Sequence, residues 1–180
     1  MIHDLGWNLG QTAPMIAGAA LLIFAALHDI AARTIPNFVS VLLALIGLGL
    51  RTGNGEAGPA LMLAAIVFVV CLACWLRGWM GGGDVKLLTA SAVFVPPAMV
   101  GDMIVATMLA GGVIGLVYLV ARTIARRSAA PRPVRRAAGP WPIAFVARVL
   151  RAERWRLLRG CPLPYASAIA AGVLFVTLSG

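Results

Sequence analysis

The chain has 180 residues, of which 61% are hydrophobic and 12% are charged, and its formal net charge is +9. Soluble domains are nearer half apolar and a quarter charged, so this composition excludes an ordinary soluble domain. It predicts an all-α, polytopic bundle of membrane helices, with room at this length for about six segments. We expect residues 1–180 to form a single integral-membrane domain.

Six apolar stretches predict the membrane segments. In chain order they cover residues 13–32, 37–50, 59–76, 85–95, 103–121 and 163–178. A spanning helix needs about 20 apolar residues, so the second, fourth and sixth stretches are short for full spans. Pro36 stops the first helix, because the residue before a proline is pushed out of the helical conformation. No Lys or Arg precedes the first stretch, so we expect it to be retained rather than cleaved as a signal peptide.

The cysteines and histidines do not predict a metal site. Cys71 and Cys74 form a C-x-x-C pair inside an apolar stretch, and neither His3 nor His28 is near them in sequence. A zinc site needs more ligands than this pair supplies, so we interpret both cysteines as small packing residues. We expect the protein to work without a metal and without an organic cofactor.

The basic residues predict the orientation. When six segments are threaded in order, every basic residue except Arg51 falls on one side of the membrane, including the eleven arginines of residues 122–159. Basic residues accumulate in cytoplasmic loops, so this side is expected to be cytoplasmic and both chain ends to lie outside. The sequence thus predicts a multi-pass membrane protein whose basic side faces the cytoplasm.

The basic loop at residues 122–160 predicts contact with lipid. Its first part is proline-rich and is expected to be a flexible connector, whereas residues 141–160 alternate apolar and arginine residues at helical spacing. We expect an amphipathic helix on the anionic inner leaflet, anchored by Trp141 and Trp155. Arginine runs beside a membrane segment usually reflect topology and lipid contact, so nucleic acid is not an expected partner.

Two acids stand beside the apolar stretches. Asp29 lies one helical turn before Arg33, and Asp84 is bracketed by Arg77 and Lys86. Both are therefore expected at the same cytoplasmic boundary. An ionised carboxylate beside hydrocarbon is costly, which makes each acid a candidate for function. Two carboxylates within about 4–5 Å of each other would hold one shared proton, as in an aspartic protease, and we expect Asp84 to be the base and Asp29 the acid.

The glycines before Asp84 predict an open approach to it. The three glycines at 81–83 cannot continue a helix without cost, so we expect them to end the third segment and to leave space for a substrate strand. A simpler interpretation makes Asp84 a helix cap, and pairs Asp29 with Arg33 one turn later. The candidates for positioning the two acids or the substrate are Gly81, Gly83, Lys86, Arg33 and Asn37.

These motifs resemble a known family. The segment GGGD at residues 81–84 matches the G-x-G-D signature of intramembrane aspartyl proteases, and residues 29–37 are similar to the D-x-x-x-R-x-I-P-N element of type IV prepilin peptidases. The segment LPYASAIAAG at 163–172 is similar to the PYG-x-A-I-A-x-G segment of their short tight-adherence (Flp pilus) branch. It departs from that pattern at Ala166 and Ser167, where the family often has glycine and a small apolar residue.

The resemblance implies an aspartyl endopeptidase at the cytoplasmic membrane face, with Asp29 and Asp84 as its catalytic residues. It implies a prepilin as the substrate partner, whose short basic leader is removed, typically after a glycine that precedes a hydrophobic amino-terminal helix. Longer members of the family carry a cytoplasmic domain with paired C-x-x-C motifs and a second, N-methylating activity. We expect neither in this chain.

Two alternative functions compete with this one. A small proton-coupled transporter also uses intramembrane carboxylates, but both acids are expected at the cytoplasmic edge and no inverted repeat is visible. An assembly subunit of a secretion machine would use the acids as helix caps, which does not explain why both acid-bearing segments match protease elements. Gly111 and Gly115 form a small-x-x-x-small face, which fits packing of neighbouring spans, a substrate helix or a homo-oligomer.

Overall fold

The computed structural model describes residues 9–127 and 164–179, and the predicted amphipathic helix at 141–160 lies outside them. The helices are α1 (Leu9–Ala32), α2 (Asn37–Gly53), α3 (Ala57–Leu76), α4 (Gly82–Phe94), a short 3-10 turn (Pro97–Met99), α5 (Val100–Arg127) and α6 (Tyr165–Ser179). Each of the six predicted segments falls on one of these helices, and the described residues contain no strand. The all-α prediction is confirmed.

The lengths and surfaces of these helices suit a membrane. In the described part of the chain, three helices, at residues 11–32, 57–76 and 97–124, are long and apolar enough to cross one, while α2 and α6 are shorter apolar helices. Large apolar side chains such as Ile16 on α1, Met62 on α3 and Met108 on α5 are more than half exposed. Water would disfavour so many exposed apolar surfaces, whereas lipid does not. The protein is a multi-pass helical membrane protein.

The helix α4 lies at the centre of the unit that holds most of the described residues. Described residues 9–111 and 164–179 belong to one compact unit, and the remaining part of α5, residues 112–127, belongs to a second unit. Within the first unit, α4 packs against α2, α3 and α6, and nearly every side chain after its first turn is buried except that of Lys86. A helix that is buried on all sides needs an apolar surface all round, and the sequence VKLLTASAVF largely provides it.

The end of α3 differs from the sequence-based expectation. We expected the three glycines at 81–83 to end the third segment, but α3 ends at Leu76 and the chain turns at Gly78, whose φ is +75°. Glycine reaches this left-handed conformation without steric cost, so Gly78 is the residue that allows the turn. Gly82 and Gly83 instead form the first turn of α4. Gly82 and Gly83 therefore contribute to the fold through the side chains that pack against them.

Arg51, the basic residue that we expect on the outer side, is buried. Arg51, in the last turn of α2, is only 4% exposed, and its guanidinium donates a hydrogen bond to Glu56 at 2.7 Å. A buried guanidinium requires a charged partner, and Glu56 supplies it from the start of α3. This ion pair links the end of α2 to the start of α3.

Candidate active site

Asp29 lies on the buried face of α1, near the end of that helix. Gly18, Leu22, Ala25 and Asp29 are all buried and recur at the three- and four-residue spacing of one helix face. The Asp29 side chain is 7% exposed, and its Oδ2 accepts a hydrogen bond of 3.1 Å from the backbone N–H of Ala166. The periodicity of α1 thus turns this carboxylate toward the interior of the bundle.

Asp84 lies in the first turn of α4, three residues after the N-cap residue Gly81. Its carboxylate accepts a hydrogen bond from the backbone of Gly81, which is the reach-back half of a capping box. A side-chain carbon on Gly81 would lie 2.9 Å from Oδ2 of Asp84, so the carboxylate would have to move if residue 81 had a side chain. The simpler interpretation is therefore partly right, since Asp84 does cap its helix.

Both acids line one cavity of about 330 Å³. The two carboxylates are close enough to interact electrostatically. The structure brings to this cavity all seven residues that we predicted for the site, namely Asp29, Asp84, Gly81, Gly83, Lys86, Arg33 and Asn37. The other lining residues are Thr34, Ile35 and Gly82. Two acids more than fifty positions apart in the chain are thus held in one polar cavity.

A larger cavity of about 730 Å³ lies between α5 and α6. Its walls are mainly apolar, including Val105, Leu109 and Phe175, and the carboxylate that it contains is that of Asp102. General acid and base catalysis with one shared proton needs two neighbouring carboxylates. The smaller cavity has two, Asp29 and Asp84, and is therefore favoured. We take the cavity that holds Asp29 and Asp84 as the candidate active site.

The short link between α1 and α2 packs directly on the first turn of α4. A side-chain carbon on Gly83 would lie 3.3 Å from Cβ and Cδ1 of Ile35, so with any larger residue at position 83 the Ile35 side chain would have to shift by a few tenths of an ångström. A carbon on Gly82 would lie 3.3 Å from the indole nitrogen of Trp75 in the same way. The isoleucine of the I-P-N element and the last glycine of the G-x-G-D element are thus complementary parts of one contact, which brings Asp84 toward the end of α1.

Hydrogen bonds hold the same link in place. The ring Nδ1 of His28 pairs with the carbonyl oxygen of Thr34 at 2.7 Å, and Nζ of Lys86 donates to Oδ1 of Asn37 at 3.1 Å. Arg33 has a φ of +56°, which is uncommon for a non-glycine residue, and its N–H donates to the carbonyl of Asp29. Arg33 therefore ends α1, while Lys86 connects α4 to the start of α2.

A paired substitution tests the contact between Gly83 and Ile35. Gly83→Ala is expected to lower kcat/KM for peptide cleavage about tenfold, because the added methyl displaces the first turn of α4 against Ile35. Ile35→Ala removes two of the three contacting atoms, so the double variant should recover part of the loss. Gly58→Ala is the control, since a carbon added there meets nothing within 4 Å. Additive losses in the double variant would contradict the contact.

Sequence reasoning missed the contribution of α6 to the site. The N–H of Ala166 that contacts Asp29 belongs to the backbone, and Tyr165 beside it has its phenol within electrostatic reach of Asp84. Residues 163–172 resemble a family segment, but this resemblance does not predict a role for them in the site. Every residue except proline has a backbone N–H, so the residue types alone do not reveal this donor. The resemblance of residues 163–172 to a family segment is the signal that points to α6.

One protein-family model matches the part of the chain that holds the candidate site. The model of the type IV leader peptidase family matches residues 16–120, which is more than half of the chain and includes both Asp29 and Asp84. No curated protein and no solved structure matches the chain. The matched part contains most of α1, all of α2 to α4 and every residue that lines the candidate cavity. The chain belongs to the type IV leader peptidase family.

Proposed function

We propose that this protein is an aspartyl endopeptidase that removes the basic leader of Flp-type prepilins at the cytoplasmic face of the inner membrane. The family supplies the general activity, a prepilin leader peptidase. The observation that carries the aspartyl mechanism is that Asp29 and Asp84 line a single cavity within electrostatic reach of each other. The resemblance of residues 163–172 to the short tight-adherence branch supports the Flp-type substrate.

The two carboxylates are suited to work with one proton between them. Two unit charges about 4–5 Å apart repel by roughly 3–4 kcal/mol at an effective dielectric constant near 20, so a singly protonated pair is favoured over a doubly ionised one. The ionised carboxylate takes a proton from water while the water oxygen bonds to the scissile carbonyl carbon. The protonated carboxyl gives its proton to the carbonyl oxygen, which yields a tetrahedral diol.

The second half of the reaction returns the pair to its starting state. The diol collapses, the C–N bond breaks, and the leaving nitrogen takes the proton that the first carboxylate had accepted from water. One diol hydroxyl returns its proton to the other carboxylate as the new carboxyl group forms. The products are a peptide acid and a peptide amine, and the pair again holds one proton.

The surroundings of the pair suit an extended peptide. Gly81 is exposed and has no side chain, so a substrate backbone can approach Asp84 closely on that side. Lys86 is exposed and held by Asn37, which places a donor beside the cavity that can hydrogen-bond a substrate carbonyl. Arg33 provides a second cation at the rim. These residues are proposed to position substrate, while Asp29 and Asp84 carry the chemistry.

The membrane setting of the reaction follows from the charge distribution. Arg33, Arg77 and Lys86 lie at the same ends of their segments as the two acids, and basic residues favour the cytoplasmic side. The prepilin would lie with its hydrophobic helix in the bilayer and its leader in the cytoplasm. The basic loop at 122–160 is proposed to bind anionic lipid. At Gly111 the small face of α5 packs against the ring of Tyr165, so this position serves packing within the chain.

Purified protein in liposomes tests this function. A synthetic peptide with a basic leader, a glycine and the first part of a hydrophobic helix should be cut after the glycine, with both products identified by mass. A matched peptide with leucine in place of that glycine should be cut at least about tenfold more slowly, since an added side chain must fit beside the reacting carbonyl. Intact peptide together with acidification of the liposome interior would favour the proton-coupled transporter instead.

A further inference from the structure

The first turn of α6 touches the proposed catalytic pair, although α6 lies in a part of the chain far from both acids. Ala166 is the second residue of α6, and its N–H donates to Oδ2 of Asp29 at 3.1 Å. The first four N–H groups of a helix have no partner within the helix. Asp29 supplies the missing acceptor for one of them across 137 positions of sequence.

This contact is well placed to act on the charge of Asp29. Ala166 is fully buried and Asp29 nearly so, which excludes water from competing for the hydrogen bond. A backbone N–H at a helix N-terminus carries the positive end of the helix dipole and favours a carboxylate over a carboxylic acid. The fifteen residues of α6 are enough to give it such a dipole.

The other acid of the pair has a different environment. Asp84 is near the N-terminus of α4, but its partner there is the backbone of Gly81, which lies at the exposed edge of the cavity. Among the described residues, the charged and titratable groups besides Asp84 that share the cavity with Asp29 or flank it in sequence are Arg33 and His28 from α1 and its end, and Lys86 from α4. Tyr165 of α6, next to Ala166, has its phenol within electrostatic reach of Asp84. The element α2 contributes the neutral Asn37.

We infer that the N–H of Ala166 is a positioning group for the reaction, which holds Asp29 as the ionised carboxylate that accepts the proton of water. Asp84 is then the protonated member that donates to the scissile carbonyl. This is the opposite of the assignment that we expected from the sequence. The inference rests on the proposed aspartyl mechanism and assigns α6 a part in it.

Removing this N–H provides the test. Ala166→Pro lacks the donor, and proline is tolerated sterically within the first turn of a helix. We expect kcat/KM for the leader peptide to fall about tenfold or more through kcat, with KM changed less than about threefold. Because the ionised form of Asp29 loses its donor, the acid limb of the pH profile should move to higher pH by about one unit. Ser167→Pro removes the next N–H, which donates to Pro164, and should keep both kcat and the acid limb.

Two outcomes separate this inference from the proposed function. If Ala166→Pro keeps the wild-type kcat and acid limb while Asp29→Asn or Asp84→Asn abolishes cleavage, the inference is wrong and the aspartyl mechanism stands. If Asp29→Asn and Asp84→Asn both leave cleavage intact, the mechanism itself is wrong. An unchanged or lowered acid limb in Ala166→Pro would assign the ionised state to Asp84.

A second measurement decides the question even where Ala166→Pro does not insert into the membrane. In the detergent-solubilised wild-type protein labelled with ¹⁵N-alanine, the amide resonance of Ala166 is expected to shift with pH along the acid limb of activity. In Asp29→Asn this titration should vanish, because the isosteric amide has no charge to gain. A resonance that does not respond to pH in the wild type would overturn the inference.

Discussion

Asparagine in place of either Asp29 or Asp84 is expected to lower cleavage of the leader peptide by roughly 10³-fold or more. Each carboxylate has a role that an amide cannot fill, since an amide neither accepts the proton of water nor donates one to the carbonyl. The two acids act as one unit, so the double variant should be no slower than the slower single variant. Product masses over a time course in liposomes measure all three rates.

The exposed acid Asp102 provides the matched control. It lies in the first turn of α5 and lines the larger, mainly apolar cavity rather than the candidate active site. Asp102→Asn removes the same charge and should change kcat/KM less than about twofold, as is usual for an exposed surface substitution. Asn at position 29 can still accept the N–H of Ala166, so folding should be kept. Two variants with near-normal cleavage would contradict the catalytic pair.

Gly47→Ala is expected to destabilise the protein. A side-chain carbon on Gly47 would lie 2.6 Å from the backbone nitrogen and Cα of Phe94, so α2 and α4 approach each other more closely there than any larger residue permits. Backbone atoms cannot turn aside as a flexible side chain can, so the helices must separate, at a cost of about 1–3 kcal/mol. The midpoint of thermal unfolding in detergent should fall by several degrees.

The neighbouring glycine of the same helix makes this prediction specific. Gly49 is exposed, and a carbon added there meets nothing within 4 Å. Gly49→Ala should therefore leave stability unchanged or raise it by up to about 1 kcal/mol, because alanine favours helix more than glycine does. Equal unfolding midpoints for the two variants would show that α2 and α4 do not meet at Gly47. Since α4 carries Asp84, cleavage by Gly47→Ala should fall together with its stability.

The sequence alone was enough to predict the helical segments and seven of the ten residues that line the candidate cavity. Apolar runs and prolines are local signals, so the six predicted segments all lie on helices, although α3 ends through Gly78 rather than through the glycines at 81–83. The two acids were recognisable because a charge beside hydrocarbon is costly wherever the chain places it. The seven residues predicted for the site come from two short segments, residues 29–37 and 81–86, which line one cavity because the link between α1 and α2 packs on the first turn of α4.

The contacts between distant segments were decided only by the tertiary structure. The fit of Ile35 against Gly83 and the hydrogen bond from the N–H of Ala166 to Asp29 each join segments that no local pattern relates. Hydrogen bonds and close packing depend on distances of a few tenths of an ångström between whole helices. Backbone donors are present at almost every position of the chain, so only the packing of the helices decides which donor meets which acceptor.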